Sequence, residues 1–507
     1  MECVTSPSYS IALNGSLYGK FAGKKGLRQG DPLSPFLFVL CLEYFSRLIN
    51  LAANRDRFAY HPKCAKFNIT HLAFADDLML FSKGDCNSVD VLLDCLNKFS
   101  RCSGLRANLK KSSLYTAGIS GQKLVNIHRL VNMPIGSMPF KYLGIPLAAE
   151  KLKAVHYVSL VEKIAGYINA WANCTLTYAG RTELIRSVVQ GVECFWLSIL
   201  PIPGTMIDRI TNICRIFLWG ERKALVAWKN ICLPKTEGEL GFRDVKTWNL
   251  ALLAKVLWNI HDKRDSLWIR WVDQVYLNGA SVWDWTPAKG DSPLLKRIFE
   301  IRDIIVKKEG TTQLAIANLN RWFAGEISGC SKAYEYFRPR GIPKVWANEV
   351  WRHYIPPKHS FILWLGIKGR LQTKDRLHYM DIDQNCALCG TAPETLDHLF
   401  FQCNITNQVW LQIKKWLRIT RAMTTIKSTL KYMKKEARGT SWQSRAKKSV
   451  VACTVYHIWT ARNRRLFEGT VVTSDGIIRE IKTQVYKIMF SLYPHVLVQY
   501  EHLALGH

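Results

Sequence analysis

The sequence predicts an α+β, multi-domain protein, on the basis of its length and of how the hydrophobic pattern changes along the chain. At 507 residues and 58.1 kDa the chain is too large for one hydrophobic core. Short β-like runs mix with helical periodicity near the N-terminal end, and helical periodicity dominates afterwards. We therefore expect an antiparallel sheet with helices in 1–147, a helical region in 148–333, a small Cys/His domain in 334–416 and a basic helical tail in 417–507.

The charge of the chain points to a polyanionic partner. Lys plus Arg number 70 and Asp plus Glu 39, which leaves a formal net charge of +31. Because each phosphate neutralised by a cationic side chain releases a counterion, this balance favours nucleic acid as the partner. A merely solvated basic surface is the alternative, and a basic face on a membrane is a weaker one.

Cysteine usage indicates an intracellular protein. The 15 cysteines are odd in number and most stand singly in apolar runs, which favours free buried thiols over a disulfide framework. No secretory signal is visible at the start of the sequence, and the longest apolar runs are shorter than a membrane span. We expect an intracellular protein with no membrane partner, and the nucleus as its location if nucleic acid is its partner.

Turn and cap signals locate the first elements. A strand over Ile11–Leu13 followed by Asn-Gly at 14–15 predicts a hairpin, and a second turn is expected at 23–26. Ser34 and Pro35 suit the N-cap and the first position of a helix. Another helix is expected over 89–102.

Two adjacent carboxylates interrupt an apolar stretch, "LAFADDLMLF", and predict a β-hairpin with Asp76 and Asp77 at its tip. Asp is a common turn residue, so an ordinary turn is the first alternative. Both arms are apolar on nearly every residue, which predicts a hairpin buried on both faces and makes an uncompensated acidic pair costly. Two Mg²⁺ ions would compensate the pair, and a site for phosphoryl transfer usually needs a third carboxylate.

The motifs around this pair resemble those of reverse transcriptases, and most closely the non-LTR, LINE-type enzymes. The quoted stretches are, in chain order, "GLRQGDPLSPFLFVL" (Gly26–Leu40), "FADD", "SGLRANLKKS" (Ser103–Ser112), "KYLGIPL" (Lys141–Leu147) and "LTYAGRTELIRSVV" (Leu176–Val189). The resemblance implies a partial polymerase palm in 1–147 and a thumb and connection region in 148–333. It also implies an RNA-directed DNA polymerase that binds an RNA template, a DNA primer or target and dNTP, with two Mg²⁺ at Asp76 and Asp77.

The loop before the first long helix has the residues of a substrate contact. Gly30 permits a close approach of backbone to a ligand, and Gln29 offers an amide to a base or sugar edge. Arg28 is suited to pairing with a phosphate. An ordinary Gly/Pro loop that caps a helix is the alternative.

Two later motifs supply further candidates for template, primer and nucleotide contact. Lys110 or Lys111 would neutralise or protonate pyrophosphate as it leaves, although either suits an exposed surface equally well. Tyr142, Leu143 and Gly144 would steer the primer end by shape, a role that the resemblance implies.

The family pattern also contains an upstream strand with a third metal-binding aspartate, and upstream fingers. Before Asp31 the only acid in this sequence is Glu2. We therefore expect a truncated polymerase that holds its metals poorly and synthesises no DNA by itself. The alternative is an inactive remnant that binds nucleic acid through its zinc module and basic surface. A palm protein of the splicing or telomere type is a weaker third possibility, against which the Cys/His domain argues.

A second cluster has the spacing of a zinc site. Cys386, Cys389, His398 and Cys403 follow the pattern C-x₂-C-x₈-H-x₄-C, which predicts four ligands and one structural Zn²⁺. Thr395 is expected to cap the helical turn that bears His398. A chance grouping of cysteines, or a redox-active C-x-x-C pair, would be the alternative.

The segment from 334 to 416 resembles the zinc-binding domain found C-terminal to such reverse transcriptases. Trp346, Trp351 and Trp364 are spaced for helical packing, with base stacking as a minor alternative. Several cations of this segment are candidates for contact with a phosphate backbone: Arg352, Lys358, Lys368, Arg370, Lys374 and Arg376.

Overall fold

The structure is a computed structural model, and it contains two compact units. One consists of Met1–Leu152 and Leu257–Leu295, the other of Lys153–Val256 and Lys296–His507. The residues that the structure describes are 7–494, without 24–26, 55–56, 149, 173, 222 and 326–328. Gly26, Glu2 and most of the expected turn at 23–26 lie outside them.

Strands in the described residues pair only as antiparallel two-stranded hairpins, which do not join into a larger sheet. The hairpins are β1 (Ser8–Leu13) with β2 (Ser16–Ala22), β3 (His71–Phe74) with β4 (Asp77–Leu80), and β5 (Phe140–Tyr142) with β6 (Ile145–Leu147). Asn14 and Gly15 both have positive φ, as a tight hairpin turn requires, so the predicted Asn-Gly turn is confirmed.

The first unit has its core between two helices. The helices of its N-terminal part are α1 (Ser34–Ala53), α2 (Cys86–Ser103) and α3 (Gly121–Val131). Phe45 and Ile49 of α1 pack with Leu92 and Phe99 of α2, since apolar residues recur on one face of each helix. Gly104, with φ +75°, ends α2. The predicted helix at 89–102 is therefore confirmed.

The start and the exposure of α1 differ from the expectation. Leu33, not Ser34, is the N-cap, and the Ser34 hydroxyl donates to the backbone oxygen of Arg28 at 2.7 Å. Leu40, one of the apolar residues that recur at helical spacing along this stretch, is 65% exposed, and Phe36 of the same helix is 70% exposed. Within the described residues α1 is also the one helix whose length and apolar composition would suffice to cross a membrane. A core helix passes the same test, and the other face of α1 contributes Phe45 to the core.

The remaining helices, in chain order, are α4 (Val158–Ala172), α5 (Tyr178–Leu184), α6 (Gln190–Leu197), α7 (Gly204–Trp219), α8 (Trp228–Ile231), α9 (Val245–His261), α10 (Leu267–Val272), α11 (Pro293–Glu309), α12 (Thr312–Phe323), α13 (Gly329–Phe337), α14 (Ala347–Val350), α15 (Pro357–Ile367), α16 (Asn404–Leu417), α17 (Ile426–Glu436), α18 (Trp442–Glu468) and α19 (Ser474–Leu492).

The second unit is helical, and its long helix α18 contributes to its core. Val450, Val455 and Ile458 of α18 are fully buried, and the helix packs against α15, α17 and α19. Helices of the predicted basic tail thus share a core with α15, which lies in the predicted Cys/His domain. Mixed helices and short antiparallel strands confirm the α+β class in its coarse form, and the four domain boundaries stay a prediction.

Candidate active site and metal centre

The acidic pair lies at the tip of the β3–β4 hairpin. Phe74 pairs with Asp77 as the last pair of the ladder, and Ala75 has a positive φ of 50°. Leu78 and Leu80 pack against the α1–α2 core and so fix the hairpin on one face. The side chains of Asp76 and Asp77 are both exposed at the tip.

The expectation that both faces of this hairpin are buried was wrong. Leu72 is 41% exposed and Phe74 60% exposed, because only the alternate face of the hairpin meets the helices. Burial therefore gives no reason for a compensating cation at Asp76 and Asp77. Their candidacy as metal ligands rests on their adjacency, their exposure and the motifs around them.

A complete carboxylate site is not present in the part of the chain that the structure describes. Within it, the only group of three or more acidic, histidine or cysteine side chains close enough to share an ion is the Cys/His cluster. Asp76 and Asp77 thus stand without a third acidic ligand among these residues.

The candidate loop Arg28–Gly30 forms an exposed turn just before α1. Gly30 has φ +88°, a conformation that L side chains rarely adopt. Two hydrogen bonds of Asp31 stabilise the turn. Its backbone amide donates to the backbone oxygen of Arg28, and its carboxylate accepts from the Leu33 amide at 2.8 Å. The side chains of Arg28 and Gln29 are exposed, as a contact with an external ligand requires.

Lys110 and Lys111 lie in a turn that Asn108 holds. Both backbone amides donate to the Asn108 side-chain oxygen, at 3.1 and 3.3 Å. Their ammonium groups are exposed. The structure therefore leaves both lysines free of burial but assigns neither a role.

The Tyr142–Gly144 turn joins β5 to β6, with positive φ at Leu143 and Gly144. Partial burial, followed by the negative charge of Asp77, raises the pKa of the Tyr142 hydroxyl. Asp77 is therefore near enough to Tyr142 to affect the pKa of its hydroxyl. The roles assigned to Tyr142, Leu143 and Gly144 stay a prediction.

The second unit brings the four predicted zinc ligands together. Ligand atoms of Cys386, Cys389, His398 and Cys403 all lie within 4.8 Å of one another, and only Cys389 is not fully buried. Two thiolates that share a tetrahedral Zn²⁺ at about 2.3 Å are about 3.8 Å apart, so these four side chains fit such an ion after a small contraction. The donor set of three sulfurs and one imidazole is typical of structural zinc sites.

Short-range backbone bonds build the cluster. The Gly390 amide donates to the Cys386 oxygen at 2.8 Å, and Gly390 has the positive φ that this turn needs. The His398 amide donates to the Thr395 hydroxyl at 3.1 Å, which confirms the predicted cap. A π-helical turn over His398–Gln402 then leads to Cys403.

The electrostatics of the cluster favour a thiolate. A hydrogen bond from Cys386 lowers the pKa of the Cys403 thiol to about 7, and the same bond raises the pKa of Cys386. Zinc binds deprotonated thiols. Because the pKa of Cys403 is low, this thiol needs to lose little proton occupancy near neutral pH before it can bind the ion.

Sequence reasoning missed the buried ion pair that holds the cluster. The carboxylate of Glu394 is fully buried and accepts from Arg462 at 2.6 Å. Its oxygens also accept from the backbone amides of Lys374, at 3.0 Å, and Ala387, at 3.1 Å. Since Ala387 lies between the first two ligands, this Glu394–Arg462 clamp connects α18 to the Cys386–Cys389 turn.

Arg462 belongs to the predicted basic tail, and its side chain is buried. Its only sequence signal would have been its place on the apolar face of α18, beside Ile458 and Ala461, and that signal is weak.

The other aromatic and basic candidates of this region are largely engaged in structure. Trp364 is fully buried and donates to the Gly238 oxygen at 2.9 Å, as expected for helical packing. Three of the cations proposed to contact phosphate form ion pairs instead: Arg352 with Glu349, Lys368 with Glu239 and Lys374 with Asp383. These pairs reduce the charge that the segment can offer to nucleic acid.

Two stretches of the chain match known protein families. Residues 2–147 match the family described as reverse transcriptase (RNA-dependent DNA polymerase), and residues 329–410 match the family described as zinc-binding in reverse transcriptase.

The curated relatives include a putative ribonuclease H protein of Arabidopsis thaliana, Pol polyproteins of retrotransposable elements and a protein of a transposon. A Pol polyprotein from the type-1 element R2 of Popillia japonica is 30% identical over 29% of this chain and 25% of its own length. The transposon TX1 149 kDa protein of Xenopus laevis is 26% identical over 49% of this chain and 19% of its own length. A Pol polyprotein from the type-2 element R2DM of Drosophila melanogaster is 34% identical over 27% of this chain and 13% of its own length. The chain thus spans a quarter or less of these relatives.

Proposed function

Because this chain belongs to the non-LTR, LINE-type reverse transcriptases, we propose that it takes part in RNA-directed DNA synthesis. The reaction adds deoxynucleotides to the 3′ end of a primer on an RNA template. The observation that carries the proposal is the hairpin with Asp76 and Asp77 exposed side by side at its tip, within electrostatic reach of Tyr142.

Asp76 and Asp77 are proposed as ligands of the two Mg²⁺ ions that such synthesis needs. Mg²⁺, when bound, supplies charge that stabilises the attacking and leaving oxygens of phosphoryl transfer. Both carboxylates are exposed and therefore accessible to ions from solution. A third carboxylate, from outside the described residues, would complete the site.

The remaining motif residues are proposed to hold the substrates. Arg28 pairs with a phosphate of the incoming dNTP or the template, while Gln29 and Gly30 let a nucleotide approach the backbone. Lys110 or Lys111 neutralises the departing pyrophosphate.

The primer end is proposed to rest against the Tyr142–Gly144 turn. An RNA template, a DNA primer or target and dNTP are the partners that follow from this function. We place the reaction inside the cell, in the nucleus.

The Cys/His cluster is proposed to hold one structural Zn²⁺. All four ligand positions come from the chain, so none remains open for a reacting water. The ion would stabilise the fold around the cluster and take no part in polymerisation.

The test is primer extension on an RNA template with Mg²⁺. It uses the protein as purified from the cells that naturally produce it. Asp76→Asn and Asp77→Asn are each expected to abolish incorporation, because each removes a charged metal ligand. Asp90→Asn, an exposed change of the same kind on α2, is expected to leave it intact. Incorporation that survives both hairpin substitutions would contradict the proposal.

A separate expectation is that two carboxylates are insufficient to hold the catalytic Mg²⁺ ions. The 507-residue chain, assayed by itself, tests this expectation. We expect it to bind primed template without extending the primer. Extension by this chain that Asp76→Asn abolishes would show that expectation to be wrong.

A further inference from the structure

Helix α17 of the second unit has one buried face and one basic face. Ile426, Leu430 and Met433 are buried, and the helix packs against α15 and α18. The packing is close at Gly366 of α15, where an added methyl group would meet the Ile426 side chain at 2.8 Å. These contacts fix the rotation of α17 about its axis, so its opposite face points away from the core.

The outward face of α17 is a row of lysines. Its members, which we call the lysine row, are Lys427, Lys431, Lys434 and Lys435, and all are exposed. At 3.6 residues per turn they fall within an arc of about 100°. With a rise of about 1.5 Å per residue the row is about 12 Å long. That length matches the axial rise of about three to four phosphates along one strand of a duplex.

The charge of the lysine row is not compensated within the described part of the chain. There, none of its members forms an ion pair with a carboxylate. The one acid of α17, Glu436, pairs instead with Lys447 of α18 at 3.7 Å. Like charges three and four residues apart on a helix repel each other, and an anion bound along the row would relieve that repulsion.

Several other cations of the predicted tail are engaged in the fold. Arg462 is held by the Glu394–Arg462 clamp, and Arg464 pairs with Glu480 at 2.8 Å. Arg445 lies over two tyrosine rings, within 5.5 Å of the centre of each. The tail is therefore not a uniform basic surface, and the lysine row is a defined part of it that stays available to a partner.

The chemistry of α17 discriminates between anionic partners. Its one aromatic residue, Tyr432, lies beside the lysine row, and the Arg421 guanidinium is 5.6 Å from the centre of that ring. The row itself thus offers charge to phosphates and no ring to a base. A membrane-surface helix inserts its apolar face into lipid, whereas the apolar face of α17 is already buried in the protein.

We propose that the lysine row of α17 binds the phosphate backbone of a nucleic acid duplex, without preference for base sequence. The ammonium groups pair with phosphates, and release of condensed counterions supplies the affinity. A duplex is favoured over a single strand because it presents about one phosphate per 1.7 Å of its axis. The proposal rests on the proposed function only in that a template–primer supplies the duplex.

Neutralising the row is the first test, on the full chain with a short, blunt, fluorescent DNA duplex as the probe. Lys427→Gln, Lys431→Gln and Lys434→Gln together should weaken binding at least about tenfold. They should also lower the slope of log affinity against log salt by about 0.9 per lost contact. Gln is a good helix former and these positions are exposed, so the fold should be unchanged. Unchanged affinity and slope would overturn the proposal.

The matched control neutralises exposed lysines on three other helices of the second unit. Lys163→Gln on α4, Lys229→Gln on α8 and Lys307→Gln on α11 together change the net charge by the same amount. This variant should bind the duplex nearly as the wild type does, because its lysines form no row. An equal loss of affinity in both variants would show that net charge alone attracts the duplex, and would overturn the proposal.

Lysine footprinting decides the location. A bound duplex should protect the lysine row from acetylation, measured by mass spectrometry, and leave Lys307 reactive. Protection confined to other lysines would overturn the proposal. The row would be a membrane contact instead if its Gln variant lost binding to phosphatidylserine-containing vesicles but kept duplex binding. Asp76→Asn should leave duplex affinity and protection unchanged, so failure of the row and failure of the polymerase proposal are separate results.

Discussion

The acidic hairpin and the Cys/His cluster are both candidate metal sites, and they are built in opposite ways. Asp76 and Asp77 owe their position to one local turn, are exposed, and lack a third acidic ligand in the described part of the chain. The cysteine and histidine ligands form a full set of four and depend on the distant, buried Arg462. A locally built site can be changed without cost to the fold, while a site built by the fold cannot.

Removing a zinc ligand should have the largest effect. Cys403→Ser replaces a buried thiolate by a weaker ligand, and we expect loss of stoichiometric zinc and unfolding of the region around the cluster, since structural zinc contributes folding free energy directly. Metal content by atomic emission and tryptophan fluorescence check this. Cys330→Ser, a cysteine outside the cluster, is the control. A folded, metal-free wild-type chain would contradict the zinc proposal.

Breaking the Glu394–Arg462 clamp should come next. Arg462→Met leaves the fully buried Glu394 without its cation, which costs about 3–5 kcal/mol. Loss of support for the Cys386–Cys389 turn should weaken zinc binding by about 10- to 100-fold, measured by competition with a chelator.

Arg465→Met is the matched control for this clamp, because Arg465 is an exposed cation of the same run. It should leave zinc affinity and stability unchanged. Glu394→Gln combined with Arg462→Met should cost less than the two single changes together, since no buried charge is then left unpaired. Equal effects of Arg462→Met and Arg465→Met would show that the clamp does not support the cluster.

Another buried carboxylate sharpens the contrast with Glu394, because Glu193 forms no ion pair in the described residues. Burial raises the pKa of Glu193 from 4.5 to about 8. The unfolded chain therefore releases this proton at lower pH than the folded one, and stability falls as pH rises from about 4.5 to about 8.

Glu193→Gln should abolish this part of the pH dependence. The variant should therefore gain more stability relative to the wild type at pH 8 than at pH 5. Urea midpoints at the two pH values measure it, and Glu183→Gln, on an exposed acid of the neighbouring turn, is the control. The same pH dependence in wild type and Glu193→Gln would contradict the burial argument.

Local features could be predicted from the sequence and distant ones could not. The Asn14-Gly15 turn, the end of α2 at Gly104 and the zinc ligand spacing each depend on residues close together in the chain, and each is found in the structure. The Glu394–Arg462 clamp joins residues 68 positions apart, and nothing in either segment pairs them.

Exposure was equally hard to predict. The apolar pattern of the hairpin arms shows which residues are suited to burial, but not whether another element covers them. Phe74 is therefore exposed, although its arm has the composition of a buried strand.

The smallest effect should come from Asp76→Asn, as a measurement of stability rather than of synthesis. Asp76 is exposed at the tip of a two-residue turn, and Asn is as well suited as Asp to that conformation. Without added Mg²⁺, the free energy of unfolding from thermal denaturation should therefore change by less than about 0.5 kcal/mol, in contrast to Arg462→Met. Added Mg²⁺ should stabilise the wild type more than Asp76→Asn only in a protein whose third carboxylate is present, because two ligands hold the ion poorly. A large loss of stability in Asp76→Asn without added Mg²⁺ would show that Asp76 holds the hairpin together, and that the two sites are less different than the structure indicates.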